Sequence, residues 1–231
     1  DGRGIDLSPR NVLRRVLKLY EDEGWKPIVA PEMEFYLVQV EPDEDIPLKA
    51  PVGRTRRSEA GMQSFSMDAI NEYDDIFDVM YDWCEAEGIQ LDTLIHEMGT
   101  AQMEINLDHG DPLPLADQVF LFKRTIREVA IRHQMYATFM AKPMQGQPGS
   151  AMHIHQSVLG IEDGQNIFSR PDGEASERFF HFIGGLQTYL PAAIAFFAPY
   201  VNSYRRLSRY TSAPINLSWG YDNRTRGLRV P

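Results

Sequence analysis

The sequence contains a single cysteine, Cys84, among 231 residues. One cysteine cannot form a disulfide within the chain, which argues against a small disulfide-stabilised secreted domain. Because no signal peptide opens the sequence either, we expect a reducing, cytoplasmic location. Cys84 falls on a predicted helical stripe, and we expect it to be a small buried hydrophobic residue.

Basic clusters and long apolar segments are also scarce. Acidic residues outnumber basic ones by 33 to 23, the formal net charge is −10, and no run of Lys or Arg exceeds two residues. We therefore expect no nucleic-acid partner. The longest apolar stretch, 190–201, is too short for a membrane span and contains Pro191 and Pro199, so we expect no membrane association.

Glycine-rich phosphate loops are missing as well. The sequence has no Gly-x-x-x-x-Gly-Lys-Ser/Thr motif and no Gly-x-Gly-x-x-Gly motif. No Ser-His-Asp arrangement can be identified from the sequence. Any phosphate site in this protein must therefore use metal ions and arginines instead of a glycine loop.

Hydrophobic periodicity predicts a mixed fold, α/β or α+β, in one unit. The predicted helices are 8–24, 68–87, 115–138 and 174–200, the last bent or broken at Gly184, Gly185 and Pro191. The predicted strands are 27–40, 92–97, 101–107, 138–142, 150–159 and 215–219, with another at the end of the chain. His133 lies on the core side of the third helix, where we expect a structural role. Residues 41–67 lack any period, and so long a loop is usually functional or mobile.

Three predicted strands carry polar side chains on one face. The polar sets are Glu32 and Glu34; Gln102, Glu104 and Asn106; and His153, His155 and Ser157. Alternate residues of a strand share a face, and the intervening residues are good core residues. We therefore expect a curved, mainly antiparallel sheet with a polar concave face and helices packed on its outer face.

Packed in one sheet, these strands would bring together Glu32, Glu34, Glu104 and His153, with Glu97 at a strand end. Carboxylates at close range raise one another's pKa, and a divalent cation removes that conflict. Oxygen ligands with one imidazole suit Mg²⁺ or Mn²⁺ better than structural zinc. The alternative is that these residues belong to separate solvated strand faces.

A second group is cationic. Arg205 and Arg206 are adjacent, and Arg224, Arg226 and Arg229 follow near the end of the sequence. Arginine binds carboxylates and phosphates with two parallel hydrogen bonds, so these side chains suit a nucleotide and a small anionic substrate. Ordinary surface ion pairs are the alternative.

Six segments, in order, resemble the catalytic domain of glutamine synthetases over nearly the whole chain. They are Pro31–Phe35, His96-Glu97 with Glu104, Lys142-Pro143, Gly149–Ser157, Asn202–Leu207, and Asn223-Arg224 through Pro231. The resemblance implies an ATP-dependent ligase that phosphorylates the γ-carboxylate of glutamate and joins the γ-glutamyl phosphate to an amine. It also implies two or more Mg²⁺ or Mn²⁺ ions per site and a homo-oligomeric ring.

The resemblance further implies a role for individual residues. Glu34, Glu97 and Glu104 would hold the metal nearer glutamate, and Glu32 and His153 the metal that bridges the ATP phosphates. Glutamate would be bound by Gly149, Arg206 and Glu34, and the transferring phosphoryl group by Arg224 and Arg229, with Arg206 as a third catalytic cation. His155, Ser157 and Arg229 would face the nucleotide.

Two residues differ from the ammonium-using members of the family and bear on which amine is the acceptor. Ser212 stands where the ammonium-using members have an acidic residue, and Pro148 stands where they have an asparagine that contacts glutamate. Serine cannot take a proton from ammonium as a carboxylate can. These positions resemble the glutamate–polyamine ligases of the superfamily, with Ser212 next to the substrate and putrescine or a similar amine as acceptor.

Two alternatives remain open at this point. One is a true glutamine synthetase that uses ammonia, and the other is a noncatalytic structural protein or inactive fragment. The family's small N-terminal domain is not in these 231 residues, nor are the glutamate and arginine expected shortly beyond Pro231. We therefore expect residues 1–231 to be a catalytic domain truncated at both ends.

Overall fold

The structure is a computed structural model that describes residues 4–41, 43, 45–208 and 213–231. The described elements are α1 Pro9–Asp22, β1 Trp25–Gln39, α2 Met67–Asn71, α3 Asp74–Ala86, β2 Leu91–His96, β3 Gln102–Leu107, α4 Pro112–Arg132, β4 Met135–Thr138, β5 Met152–Gly160, α5 Glu177–Phe197, α6 Val201–Arg206, β6 Trp219–Tyr221 and β7 Leu228–Val230.

The long strand β1 organises the main sheet. It pairs with β3 through residues 32–36, with β4 through residues 36–39 and with β5 through residues 25–33. The range paired with β3 overlaps both the range paired with β4 and the range paired with β5. Therefore β3 occupies one edge of β1, while β5 and β4 follow each other along the other edge. The strand β2 extends the sheet beyond β3, and every one of these pairs is antiparallel. The expected antiparallel sheet is confirmed, and β6 and β7 form a small parallel pair apart from it.

Helices α3 and α4 cover one face of this sheet. The odd-numbered residues of β1, Met33, Phe35 and Leu37, are buried together with apolar residues of β3 and of both helices. Odd- and even-numbered side chains of a strand point to opposite faces of the sheet, so the odd-numbered residues of β1 share the face that the helices cover. Cys84 is fully buried in the same core, as predicted, and burial raises the pKa of its thiol to about 12.

The predicted end of the helix 115–138 and the predicted bounds of the strand after it are wrong. The helix α4 ends at Arg132 instead of 138, and the next four-residue strand, β4, replaces both its predicted last turn and the predicted strand 138–142. Gln134 has a φ of 59°, a left-handed conformation that ends a helix. His133 is half-buried, and its Nδ1 lies 2.9 Å from the carbonyl oxygen of Val129, which agrees with the expected structural role.

Other elements are divided, continuous or shorter where the prediction was different. The predicted helix 68–87 is two helices, α2 and α3, whereas α5 runs unbroken through Gly184, Gly185 and Pro191. A proline inside a helix removes one hydrogen bond but does not always end the helix. Only Trp219 of the predicted strand 215–219 is extended, the terminal strand is confirmed as β7, and α6 was not predicted.

Helix α5 is long and apolar enough to cross a membrane by length and composition alone, with a mean hydropathy of 1.2 in its most apolar window. One such helix is weak evidence, because helices of soluble proteins pass the same test. Ring contacts with Phe168 and Trp219, at 4.9 and 5.9 Å between centroids, attach α5 to the rest of the chain.

The core position of α4 can be tested with two phenylalanines two residues apart. Phe122 is fully buried, and Phe120 is 74% exposed. We expect Phe122→Ala to lower the free energy of unfolding by about 3–5 kcal/mol because it leaves a cavity. The matched Phe120→Ala should change it by less than about 0.5 kcal/mol. Urea denaturation followed by circular dichroism measures both, and equal losses would contradict the assigned helix face.

Candidate active site

Strand register brings the predicted polar side chains onto the sheet face opposite the helices. Glu32 lies opposite His153 of β5, and Glu34 lies opposite Glu104 of β3. Residues directly opposite in antiparallel strands have their Cβ atoms about 4.5–5.5 Å apart. Three strands with polar residues at alternate positions therefore produce one cluster instead of three separate faces.

The cluster has the geometry of a cation site. One ligand atom from each of Glu32, Glu104 and His153 lies within 4.8 Å of the other two. His153 Nδ1 is 2.9 Å from Glu32 Oε2 and 3.8 Å from Glu34 Oε1, so Glu34 adjoins the same group. Glu97, in the turn after β2, is near enough for its charge to raise the pKa of both Glu34 and Glu104. The structure thus brings together Glu32, Glu34, Glu104 and His153, while Glu97 lies at the start of the β2–β3 turn, where its amide donates to the Gln102 carbonyl.

The carboxyl groups of the cluster have pKa values shifted in opposite directions. Burial, followed by the charges of Glu32, Glu34 and Glu97, raises the pKa of the Glu104 carboxyl to about 7. Burial also raises the pKa of Glu34. In contrast, hydrogen bonds from His153 and His155 lower the pKa of Glu32 to about 2. A divalent cation among oxygen ligands and one imidazole would relieve this repulsion, so the residues present fit Mg²⁺ or Mn²⁺.

A buried hydrogen-bond network holds Glu34 and the turn before β5. Gln102 Nε2 donates to Glu34 Oε2 at 3.2 Å and to the Gly149 carbonyl at 3.1 Å. The Tyr36 hydroxyl donates to the Pro148 carbonyl at 2.8 Å. Sequence reasoning missed Tyr36, although it lies two residues after Glu34 on the same strand face. The alternation that identified Glu32 and Glu34 extends to it.

Gly149 and Arg206, predicted to hold glutamate together, are in contact. A Cβ on Gly149 would lie 2.5 Å from the Ala141 carbonyl oxygen and 2.6 Å from Arg206 Cγ. Only glycine permits this approach. Arg206 is also close enough to Glu34 for the charge of each to affect the pKa of the other.

Helix α6, which ends at Arg206, is tied to the segment before this turn. The Lys142 amide donates to Asn202 Oδ1 at 2.8 Å, and Asn202 Nδ2 donates to the Lys142 carbonyl at 2.9 Å. Lys142 Nζ also donates to the Gln147 carbonyl. Two of the resembling segments, Lys142-Pro143 and Asn202–Leu207, therefore serve to fix the position of Arg206.

Two of the predicted nucleotide-facing residues, His155 and Ser157, follow His153 on β5. His155 Nε2 is 2.5 Å from Glu32 Oε1, and Ser157 follows on the same strand, opposite Ile28. A cavity of about 220 Å³ opens beside Glu32 and His155 and is also lined by Asn106 and His109. The arrangement leaves space for a ligand next to His155.

Two predicted arginines lie outside the main sheet. Arg224 and Arg229 belong to the β6–β7 region, where Arg229 Nη2 donates to Asp222 Oδ1 at 2.9 Å. Within the described part of the chain, no hydrogen bond or ion pair joins either arginine to the clustered carboxylates. Ser212 lies outside the described residues.

One face of the antiparallel sheet carries carboxylates and a histidine, with a glycine–arginine contact beside them. These features are typical of a metal-dependent site for a small ligand. The family model described as "Glutamine synthetase, catalytic domain" matches residues 6–231. The chain therefore belongs to the glutamine synthetase catalytic-domain family.

Individual relatives fall into more than one named activity. The chain is 37% identical to gamma-glutamylputrescine synthetase PuuA of Escherichia coli (strain K12) over 233 residues, which is 100% of this chain and 49% of that protein. It is 38% identical to a glutamine synthetase of Pyrococcus horikoshii over 231 residues, with the same coverage of 100% and 49%. The chain thus spans about half the length of the curated relatives it matches.

Solved structures give the same family. "Apo GmaS without ligand" matches with a TM-score of 0.85 and 29% identity, covering 100% of this chain and 52% of that one. "Crystal structure of novel glutamine synthase homolog" matches with a TM-score of 0.81 and 26% identity over 99% of this chain and 50% of that one.

The raised pKa of Glu104 makes a pH-dependent prediction for the metal-free protein. Because the folded pKa is about 7 against an ordinary value of 4.5, the bound proton stabilises the fold at low pH, and this contribution is lost as pH rises through 7. Glu104→Gln should therefore raise the free energy of unfolding by about 1–3 kcal/mol at pH 8 and change it little at pH 5. Urea denaturation in EDTA at both pH values measures this.

A matched control is Glu128→Gln, which removes a carboxylate whose ion pair with Arg132 is exposed. It should shift stability by less than about 1 kcal/mol at either pH. Glu104→Gln that is less stable than the wild type at pH 8 would contradict the repulsion described for the cluster.

Proposed function

We propose that this chain is the catalytic part of an ATP-dependent ligase that joins the γ-carboxylate of L-glutamate to an amine through a γ-glutamyl phosphate. The observation that carries the proposal is the cluster of Glu32, Glu104 and His153 beside Glu34. In the reaction, a γ-carboxylate oxygen attacks the γ-phosphorus of ATP and ADP leaves. The amine nitrogen then attacks the acyl carbon, phosphate leaves, and a base takes the proton from the nitrogen.

In this proposal the clustered side chains hold two or more Mg²⁺ or Mn²⁺ ions. Glu34, Glu97 and Glu104 would hold the ion nearer glutamate, and Glu32 and His153 would hold the other. Bound divalent cations neutralise charge on the phosphate oxygens and orient the phosphates for transfer. The positions of Glu32, Glu104 and His153 support this assignment, because one ligand atom of each lies within 4.8 Å of the other two.

Glutamate would bind between Gly149 and Arg206, next to Glu34. The guanidinium of Arg206 suits a carboxylate, since it can donate two parallel hydrogen bonds. The Gln102 bond fixes the direction of the Gly149 carbonyl, which leaves that turn preorganised for a ligand. The cavity beside His155 would take the nucleotide, with Ser157 further along β5.

Arg224 and Arg229 would stabilise the phosphoryl group during its transfer, with Arg229 also near the nucleotide. Fixed cations lower the energy of this step because negative charge on the phosphoryl oxygens meets a preorganised opposite charge. Arg229 pairs with Asp222 in the described structure. That exposed pair is weak, so a phosphate group can displace it.

We propose a polyamine such as putrescine as the acceptor. Ser212 in place of an acidic residue and Pro148 in place of an asparagine support this choice, together with the similarity to the E. coli putrescine ligase. The net charge of −10 also favours a cationic substrate. Ammonia remains the second candidate, because the Pyrococcus glutamine synthetase is equally similar at 38%.

The same proposal includes a homo-oligomeric ring for the full-length protein, as the family resemblance implies. A noncatalytic structural role is the weaker alternative. The two buried carboxylates of the cluster, Glu34 and Glu104, would cost stability in a protein that had no use for them.

The acceptor can be identified by measuring ATP-dependent phosphate release from the full-length protein with glutamate and a panel of amines. We expect kcat/KM with putrescine to exceed that with ammonia by at least about tenfold, because Ser212 cannot deprotonate ammonium. Turnover with ammonia that equals or exceeds turnover with putrescine would instead support a glutamine synthetase. Absence of turnover with every amine would support the noncatalytic alternative.

The glutamate site can be tested at Gly149. A methyl group there would overlap both the Ala141 carbonyl oxygen and the Arg206 side chain and would displace them, so Gly149→Ala should raise the KM for glutamate about tenfold or more while changing the KM for ATP little. The matched control is Gly184→Ala on α5, where no atom lies within 4 Å of the added Cβ. That change should leave both KM values unchanged and add up to about 1 kcal/mol of stability through helix propensity. An unchanged KM for glutamate in Gly149→Ala would contradict this placement of glutamate.

A further inference from the structure

Glu59 and His96 form a buried pair outside the cluster. His96 Nε2 lies 3.0 Å from Glu59 Oε2, and the two side chains are 0% and 5% exposed. Glu59 comes from the long segment between β1 and α2, and His96 is the last residue of β2. The pair therefore joins that irregular segment to the sheet.

Both members also bind the turn that connects β2 to β3. His96 Nδ1 lies 2.7 Å from the carbonyl oxygen of Glu97, at the start of the turn. Glu59 Oε2 accepts a hydrogen bond of 2.7 Å from the Ala101 amide, at its end. Two side chains thus hold the backbone of residues 97–101 from both ends.

The end of this turn is strained. Ala101 has a φ of 53°, a left-handed conformation that costs a residue with a Cβ on the order of 1 kcal/mol. Such conformations persist where surrounding contacts impose them. The Glu59 carboxylate supplies that contact, and the Ala101 side chain is fully buried in the main core.

Stability alone does not account for the pair. A buried ion pair is often no more stabilising than apolar residues of the same volume. Moreover, Glu59 Oε1 is buried and has no hydrogen-bond partner in the described part of the chain. An unsatisfied buried oxygen lowers stability, so the pair is better explained by the backbone geometry that it imposes.

That geometry sets the direction of Glu97. Its amide donates to the Gln102 carbonyl at 2.8 Å, and its own Oε2 accepts from the Met98 amide at 3.2 Å. The carboxylate of Glu97 is therefore carried by the same short turn that Glu59 and His96 hold.

We propose that Glu59 and His96 are positioning residues that hold Glu97 in place beside Gln102, which itself donates to Glu34. This inference rests on the proposed function, in which Glu97 is a metal ligand. Neither residue touches a substrate in this assignment. Their effect is on metal affinity, through the backbone of the turn.

The test uses Mn²⁺ alone as the probe, titrated calorimetrically into the full-length protein and its variants. We expect Glu59→Ala to weaken Mn²⁺ binding about 10–100-fold, the range found when supporting partners of metal ligands are removed. Glu59→Gln should stay within about threefold of the wild type, because its amide oxygen still accepts from Ala101. His96→Gln, which keeps a donor to Glu59 but loses the bond to the Glu97 carbonyl, should weaken binding about tenfold.

A control for general destabilisation is Thr125→Val, which removes a partly buried 2.6 Å hydrogen bond to Glu87, a residue outside this turn. It should lower the melting temperature without changing Mn²⁺ affinity. Should Glu59→Ala fail to fold, Glu59→Gln and His96→Gln still give the contrast. Wild-type affinity in Glu59→Ala or His96→Gln would overturn this inference and leave the proposed function intact. A wild-type protein that binds no Mn²⁺ would overturn both.

Discussion

Repulsion among carboxylates on one face of the sheet is the constraint on which the rest of the structure depends. Glu34 and Glu104 lie directly opposite each other on neighbouring strands and are both almost fully buried. Burial, together with the charges of Glu32, Glu34 and Glu97, raises the pKa of Glu104 to about 7. Such an arrangement persists only because the opposite face of the same strands is a dense apolar core, with Phe35 and Ile105 fully buried. The stability of the core thus compensates the electrostatic cost of the site.

Histidines and amides reduce that cost without removing it. His153 and His155 both hydrogen-bond Glu32, so this carboxylate stays ionised, whereas Glu34 receives neutral donors from Gln102 and the Ala151 amide. Burial nevertheless raises the pKa of Glu34, so neighbouring carboxylates on one strand have opposite pKa shifts. Environments that separate the pKa values of adjacent acids are common at functional sites.

Much of the site could be predicted from sequence because it lies on strands. The period of two assigned Glu32, Glu34, Glu104 and His153 to one face before any pairing was known, and the register then brought them together. Loop residues gave no comparable signal. Glu59 lies in a segment without periodicity, and only the tertiary structure places it beside His96.

The errors in the fold have a similar cause. The predicted helix 115–138 overran its true end because Met135 and Ala137 continue an apolar pattern that both a helix and a strand can use. The helix predicted to be bent or broken at Pro191 is continuous there, since a single lost hydrogen bond is outweighed by the rest of a helix of 21 residues. Local propensity located these elements but did not fix where each one ends.

The edge of β1 that faces β5 and β4 has one more consequence. The strand β5 pairs with it as far as Met33, and β4 begins at Tyr36, so Glu34 lies at the junction. There the Glu34 amide donates to the Ala151 carbonyl, which belongs to the turn that carries Gly149. The cluster therefore sits in a joint of the sheet, between two strands that are not paired with each other. The geometry of the cluster depends on the register of β5 and β4 against β1. The long strand β1 therefore positions both the core residues and the site residues.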